Sequence, residues 1–268
     1  HTSCVLPRWG SWWRDSVKVL KIGGSVLTEK HTEEKKVRME VLDRIASEIA
    51  PRADGLILVH GAGSFGHPEA IRHGVGRRFS TEGVLKTHQS VCLLNRIVVS
   101  ALVRGGVPAV PVSPLGCAIA DGGRLVSMEM TPILHMVERG LVPVLHGDVV
   151  MDRTLGAAVV SGDALVAHIA KGLGAHHVGM GTSAQGVLDA HGRTIPEVTE
   201  HNIEQVRQWV RPSGGGDATG GMVGKVEELW RLAGEGIESW VFSALDEGAV
   251  AAFLDGHPVG TRVRNVEL

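Results

Sequence analysis

The sequence predicts an α/β protein with a mainly parallel sheet covered by helices on both faces. Three observations predict it. Short apolar runs recur along the chain bounded by Gly, Pro or charge, helical patterns fill most of the intervals between them, and the turns that follow the runs carry glycine. Strands alternating with helices build parallel sheets, because parallel neighbours need a crossover that packs on a sheet face.

Taken in order, the predicted strands are "VKVLKI" at 17–22, "GLILV" at 55–59, "VPAVPV" at 107–112, "LVPVLH" at 141–146, "HHVGM" at 176–180 and "SWVFSA" at 239–244. Between them the spacing predicts one long amphipathic helix over 84–102, where Val84, Val91, Leu94, Val98, Ala101 and Leu102 recur at helical steps. Shorter helices are predicted at 38–50, 131–139, 163–171, 201–209 and 224–234. The stretch "GDVVMDRTLGAAVVSGD" breaks the alternation and reads as a hairpin, Val149–Met151 against Ala157–Val160. "PSGGGDATGGMVGK", 212–225, is the one long glycine-rich loop, a length that is usually functional or disordered.

Composition narrows the function. A chain of 268 residues buries a full core as one large domain or two joined lobes. A net charge of −2 gives no reason to expect nucleic acid or an anionic membrane as partner, so local basic residues serve local chemistry. Three cysteines, Cys4, Cys92 and Cys117, without C-x-x-C spacing indicate neither a disulfide framework nor a zinc knuckle, and a reducing cytoplasm is expected. No apolar run approaches the roughly 18 residues of a membrane span. Residues 1–16, with three tryptophans and no apolar periodicity, read as a disordered leader or tag remnant. Tyrosine is absent, which excludes phenolic chemistry.

In doubly wound sheets ligands sit beyond the carboxyl ends of the strands. Here those ends read "KIGGS", "HGAGSFGH", "HGD" and, after the hairpin, "SGD". Glycine lets backbone N–H groups approach an anion closely. Lys21 closes its strand at the same place, Lys30 lies nine residues on, and Lys225 opens a helix after Gly220, Gly221 and Gly224, where the helix dipole favours negative charge. Three lysines with several N–H clusters point to phosphate, and phosphoryl transfer needs such charge neutralisation more than a covalent catalyst. Asp163 and Asp148 are the carboxylates placed to orient the lysines or to hold magnesium through water. Gly61, Gly63 and Gly66 also match the dinucleotide fingerprint, with Glu82 as a ribose acid, but Pro68 falls where that motif's helix should run. Walker and protein-kinase signatures are absent, and His60 and His67, seven apart across a glycine turn, make a poor zinc pair.

The motifs "VKVLKIGGSVLTEK", "LILVHGAGSFGHPEA", "VPVLHGDVV", "VVSGDALVAHIA", "DATGGMVGK" and "GTRV" together resemble the isopentenyl phosphate kinases of the amino-acid kinase superfamily, over about residues 17–263. "LHGDVVMDRTLG" resembles the eukaryotic members more than the archaeal ones. The resemblance implies an open αβα sandwich, a homodimer, with an N-terminal lobe (17–172) for the phosphate acceptor and a C-terminal lobe (173–268) for ATP with Mg2+. It places Lys21, Lys30, His67, Asp163 and Lys225 in catalysis, with Lys21 and Lys30 facing the transferred group and Asp163 orienting the lysines. Lys21, Gly23, Gly24, Ser25, Gly63, Ser183, Gly221 and Lys225 would contact the nucleotide, and His67, Ala62, Gly162 and Asp148 the acceptor. No side chain is assigned as a direct metal ligand. An acceptor that already carries a phosphate needs an extra donor, and His67 is that donor. One departure stands out: where the family reads Thr-Asp-Val-Asp-Gly beside the nucleotide, this chain has "TSAQG", Thr182–Gly186. Two other readings remain open. One is a fosfomycin-type kinase acting on a phosphonate, which a wall of Leu, Val and Ile from the 84–102 helix would disfavour. The other is a non-catalytic phosphate binder with a weakened ATP site.

Overall fold

The computed structural model describes residues 17–29, 35–210 and 221–265, so the expectations for the leader, for Lys30 and for most of the glycine-rich loop lie outside the described residues. In chain order the elements are β1 (Lys18–Ile22), α1 (Gly24–Leu27), α2 (Met39–Ile49), β2 (Leu56–His60), α3 (Gly63–His73), α4 (Thr81–Arg104), β3 (Ala109–Pro111), β4 (Ala118–Asp121) and β5 (Arg124–Met128). They continue with α5 (Thr131–Glu138), β6 (Val142–His146), β7 (Asp148–Asp152), β8 (Gly156–Val160), α6 (Gly162–Leu173), β9 (His177–Thr182) and β10 (Glu197–Val198). The chain closes with α7 (Ile203–Trp209), α8 (Gly221–Ala233), β11 (Ser239–Ser243), α9 (Ala249–Leu254) and β12 (Thr261–Val263).

Eight strands form one sheet in the order β10-β12-β11-β9-β1-β2-β6-β3, parallel throughout except for the β11/β12 pair. It runs unbroken through the N- and C-terminal halves, since β1 pairs with β2 on one side and β9 on the other. The strands obey the period of two: Val19, Ile57 and Val59 pack on one face with Leu165, Ile169, Val226 and Leu229 of α6 and α8. Leu20, Ile22, Leu56 and Leu58 pack on the other with Leu42, Ile45 and Ile49 of α2, Leu94 and Val98 of α4 and Phe253 of α9. All five residues of β2 and of β6 are buried, as expected for central strands covered on both faces. The three layers are the predicted αβα sandwich.

The predicted hairpin is β7–β8, paired Val149↔Val159 and Met151↔Ala157. It belongs to a second, four-stranded sheet, β5-β4-β7-β8, whose other hairpin the sequence reading did not anticipate. The fourfold acceptor Asp152 ties the two hairpins, taking backbone N–H bonds from Gly122 and Gly123 at one tip and Thr154 and Leu155 at the other. A further difference concerns Pro68. The helix at its position does run, as α3, with the proline inside it. Pro68 forfeits one backbone donor near the start of the helix, and packing of Phe65, Gly66 and Ala70 against α4 offsets the loss.

Candidate active site

Register brings the strand-end turns together. Ile22 of β1 pairs with His60 of β2, and Gly61 N–H donates to the Ile22 carbonyl at 2.9 Å, so "KIGGS" and "HGAGS" leave the sheet side by side. Their backbones nearly touch. A Cβ on Gly24 would lie 2.3 Å from the Gly63 nitrogen, and one on Gly61 would lie 2.4 Å from the Gly24 nitrogen, so only glycine fits either place. Four helices, α1, α3, α6 and α8, begin at this edge on Gly24, Gly63, Gly162 and Gly221, and all four glycines line one cleft of about 1850 Å³. Their amino termini turn backbone N–H groups and the positive ends of their dipoles toward it.

Lys21 sits on the sheet face that carries α6 and α8, by the same alternation that places Val19 there. Its Nζ donates to Asp163 Oδ1 at 2.7 Å, and Lys225 Nζ donates to the same oxygen at 2.8 Å. Residues 142 and 62 positions away in the chain thus converge on one carboxylate. The pair of ammoniums is electrostatically poised. Burial, and next the Lys225 charge, pull the Lys21 pKa down from 10.5 to about 8, against the opposing pull of Asp163. For Asp163 burial acts to raise the pKa, and the two lysines outweigh it, leaving the carboxyl at about 2 and ionised. Two ammoniums held apart by a single carboxylate, at the focus of four helix amino termini, make a receptor for a polyanion.

Of the residues predicted from sequence, Lys21, Gly23, Gly24, Ser25, Ala62, Gly63, His67, Asp148, Gly162, Asp163, Gly221 and Lys225 all line this cleft. Ser183 meets it through Ser25, Oγ to Oγ at 3.3 Å. His67, on the first turns of α3, is exposed there. Asp148 is placed differently from the expectation of a magnesium-holding carboxylate: its Oδ2 is paired with His88 Nδ1 at 2.8 Å and its Oδ1 accepts the Val149 N–H. His60 closes β2 fully buried, with Asn95 Nδ2 3.0 Å from its Nε2 and its ring stacked on His146 at 5.6 Å. Burial holds both imidazoles neutral, at about 4.

The apolar wall also differs from the expectation. From the long helix only Thr87 and Val91 reach the cleft, because Leu94 and Val98 are spent in the core. The lining comes instead from Ala70, Ile71 and Val75 around α3 and from Leu125, Val159 and Val160 of the small sheet. Sequence reasoning passed over Thr28, Lys35 and His88. Lys35 lines the cleft with its Nζ bound to Glu69 at 2.9 Å and Ser90 at 2.7 Å. Each of these is defined by partners distant in sequence, and no local pattern marks it.

Comparison with known proteins bears on what this cleft serves. The Amino acid kinase family profile matches residues 16–243. Isopentenyl phosphate kinase of Methanothermobacter thermautotrophicus is 37% identical, covering 91% of this chain and 98% of its own, and that of Haloferax volcanii is 40% identical over 93% and 99%. The chain belongs to the amino acid kinase family, among its isopentenyl phosphate kinases. A solved isopentenyl phosphate kinase structure at 35% identity superposes with a TM-score of 0.79, covering 92% of this chain and 99% of that one. The enzyme of that name from Arabidopsis thaliana is 30% identical, covering 76% of this chain and 68% of its own. Among the described residues no helix is long and apolar enough to cross a membrane.

Proposed function

We propose that the chain transfers the γ-phosphoryl group of ATP to isopentenyl phosphate, giving isopentenyl diphosphate and ADP. The observation that carries this is the Lys21–Asp163–Lys225 bridge under four glycine-started helices, in a chain 37–40% identical to isopentenyl phosphate kinases. A phosphate oxygen of the acceptor attacks the γ-phosphorus, the bond to the ADP oxygen breaks, and charge builds on the oxygens in between. Lys21 and Lys225 neutralise that charge, Asp163 holds them in register, and Lys30 is assigned the same work. The N-terminal part, 17–172, takes the acceptor. His67 donates to its phosphate, backbone N–H groups at Ala62 and Gly162 add to the cradle, and the side chains of Val75, Val91 and Val159 receive the hydrocarbon tail. Asp148, paired with His88, supports the acceptor side.

The C-terminal part, 173–268, with the Gly23–Ser25 turn, Gly63, Ser183, Gly221 and Lys225, takes ATP. Among the described residues no three His, Cys, Asp or Glu side chains cluster to hold a metal ion. Mg2+ keeps several waters and is bound mainly through substrate phosphates, so it would arrive on the nucleotide. Mg2+ would neutralise phosphate charge, and Asp163 is the carboxylate that would help hold it through water. The enzyme works in the cytoplasm as a homodimer without membrane or nucleic acid partners; exposed Leu85, Leu93 and Val103 along α4 offer an apolar face for the second subunit.

The apolar lining favours a prenyl tail over the compact epoxide of a fosfomycin-type acceptor, and the intact lysine bridge favours a catalyst over a mere binder. A coupled ADP-release assay with isopentenyl phosphate, fosfomycin and no acceptor tests all three readings. ADP release should require isopentenyl phosphate. Faster turnover with fosfomycin, or none with either, overturns the proposal.

A further inference from the structure

Thr28 is fully buried at the end of α1, yet it lines the cleft. Its Oγ1 donates to the Gly24 carbonyl at 2.9 Å and accepts the Ser64 N–H at 3.1 Å. One hydroxyl therefore bonds to both turns that embrace the reactants. Gly63 is shaped around it. That residue takes φ +52°, and a Cβ there would lie 2.2 Å from Thr28 Oγ1 and 3.0 Å from its methyl carbon. The Thr28 backbone is fixed as well, by its own N–H bond to Gly24 and by the isolated bridge to Val37. The hydroxyl is thus the only side chain among the described residues that hydrogen-bonds Gly24 and Ser64 at once.

We infer that Thr28 is a positioning residue that sets the spacing between the two phosphate-binding turns, and through it the distance between donor and acceptor phosphates. This rests on the proposed phosphoryl transfer. The turns themselves present backbone donors, so losing the tie leaves each substrate its own contacts, and affinity changes little. What changes is the alignment of one phosphate against the other. A misplacement of about 1 Å in such a reaction costs on the order of 10²-fold in rate. The chemistry of the tie demands a group that donates and accepts through one atom, which a hydroxyl does and an isosteric methyl does not.

The test compares Thr28→Val, Thr28→Ser and Thr28→Ala in the full chain, with kcat and both KM values measured for ATP and isopentenyl phosphate. Thr28→Val should lower kcat by about 10- to 100-fold with each KM within about threefold, and Thr28→Ser should recover kcat to within about threefold. If Thr28→Val fails to fold, Thr28→Ala against Thr28→Ser decides by the same criteria. Equal kcat for the hydroxyl and non-hydroxyl variants overturns the inference, as does a raised KM at unchanged kcat, which would make Thr28 a binding residue. Hydrogen exchange of the Ser64 amide gives a readout free of turnover. It should be slow in the parent and Thr28→Ser and at least about tenfold faster in the Val or Ala variant, the amide having lost its acceptor. A parent that turns over no isopentenyl phosphate sinks the functional proposal alone; Ser64 exchange that ignores the hydroxyl sinks the tie.

Discussion

Replacing Asp163 by Asn removes the charge between Lys21 and Lys225 while keeping an oxygen where both ammoniums donate. Two causes hold the Lys21 pKa down, burial and the Lys225 charge, and Asp163 is what opposes them. The variant keeps the depressing causes and loses the counterweight, so the pKa must fall below about 8. A unit charge at about 4 Å is worth about 4 kcal/mol at an effective dielectric of about 20, or about three pH units. The Asp163 side chain retains about a quarter of its exposure, and the amide oxygen still accepts both bonds, so a shift of about one to two units is expected. In the proposed transfer Lys21 must be protonated to neutralise the phosphoryl group. The parent's kcat/KM for isopentenyl phosphate should therefore decline as pH rises through about 8, and in Asp163→Asn the decline should begin one to two units lower.

The assay is a pH profile of kcat/KM, which reports groups in the free enzyme, with Lys225→Met as the opposite perturbation. Removing the neighbouring positive charge should move the alkaline limb upward, even as the rate falls. The limb position is read separately from the amplitude, so loss of activity alone proves nothing here. An alkaline limb that stays put in Asp163→Asn, or moves the same way in both variants, refutes the electrostatic account of the bridge.

Other outcomes follow from the same geometry. His67→Ala should lower kcat/KM for isopentenyl phosphate by about 10²-fold, the scale of one lost charge-stabilising donor, and a value within twofold of the parent rejects its acceptor role. Gly63→Ala, at φ +52° with its Cβ driven to 2.2 Å from Thr28 Oγ1, should abolish turnover and lower Tm, whereas Gly172→Ala, with nothing within 4 Å, should stabilise by about 0.5–1 kcal/mol in thermal melts. Gln185→Asp would replace the amide whose Nε2 now donates to Asp246 Oδ1 at 3.2 Å by a shorter carboxylate facing the same aspartate; KM for ATP should rise up to about fivefold and return to the parent value in Gln185→Asp with Asp246→Asn.

What the sequence made legible was what backbone chemistry writes locally. A glycine turn after an apolar run marks a strand end whatever the rest of the fold does, and so the strands β1, β2, β6, β9 and β11 and the cleft residues on their turns were readable. Side-chain partnerships were not, because they depend on register. Thr28 is an unremarked threonine until β1 and β2 stand side by side and bring Ser64 to its hydroxyl, and Asp148 looks like a free carboxylate until α4 lays His88 against it. The same limit explains α3: Pro68 argues locally against a helix, and only the packing of Phe65 and Gly66 on α4 shows why the helix survives it. "TSAQG" shows the difference most directly. Read alone, two missing acids look like a damaged nucleotide loop. In the fold, the loop is closed by Thr182 Oγ1 on the Ala184 N–H, tied to the Gly23–Ser25 turn through Ser183 and Ser25, and fastened by Gln185 to Asp246. Asp246 also accepts from Ser243 at the end of β11, and its carbonyl accepts from Arg44 of α2. An aspartate at 185 would meet this carboxylate as a like charge, and the amide meets it as a donor. Gln185 is therefore matched to its surroundings, and the loop's neutrality is a property of the whole β9–β11 edge, set by a residue 61 positions away.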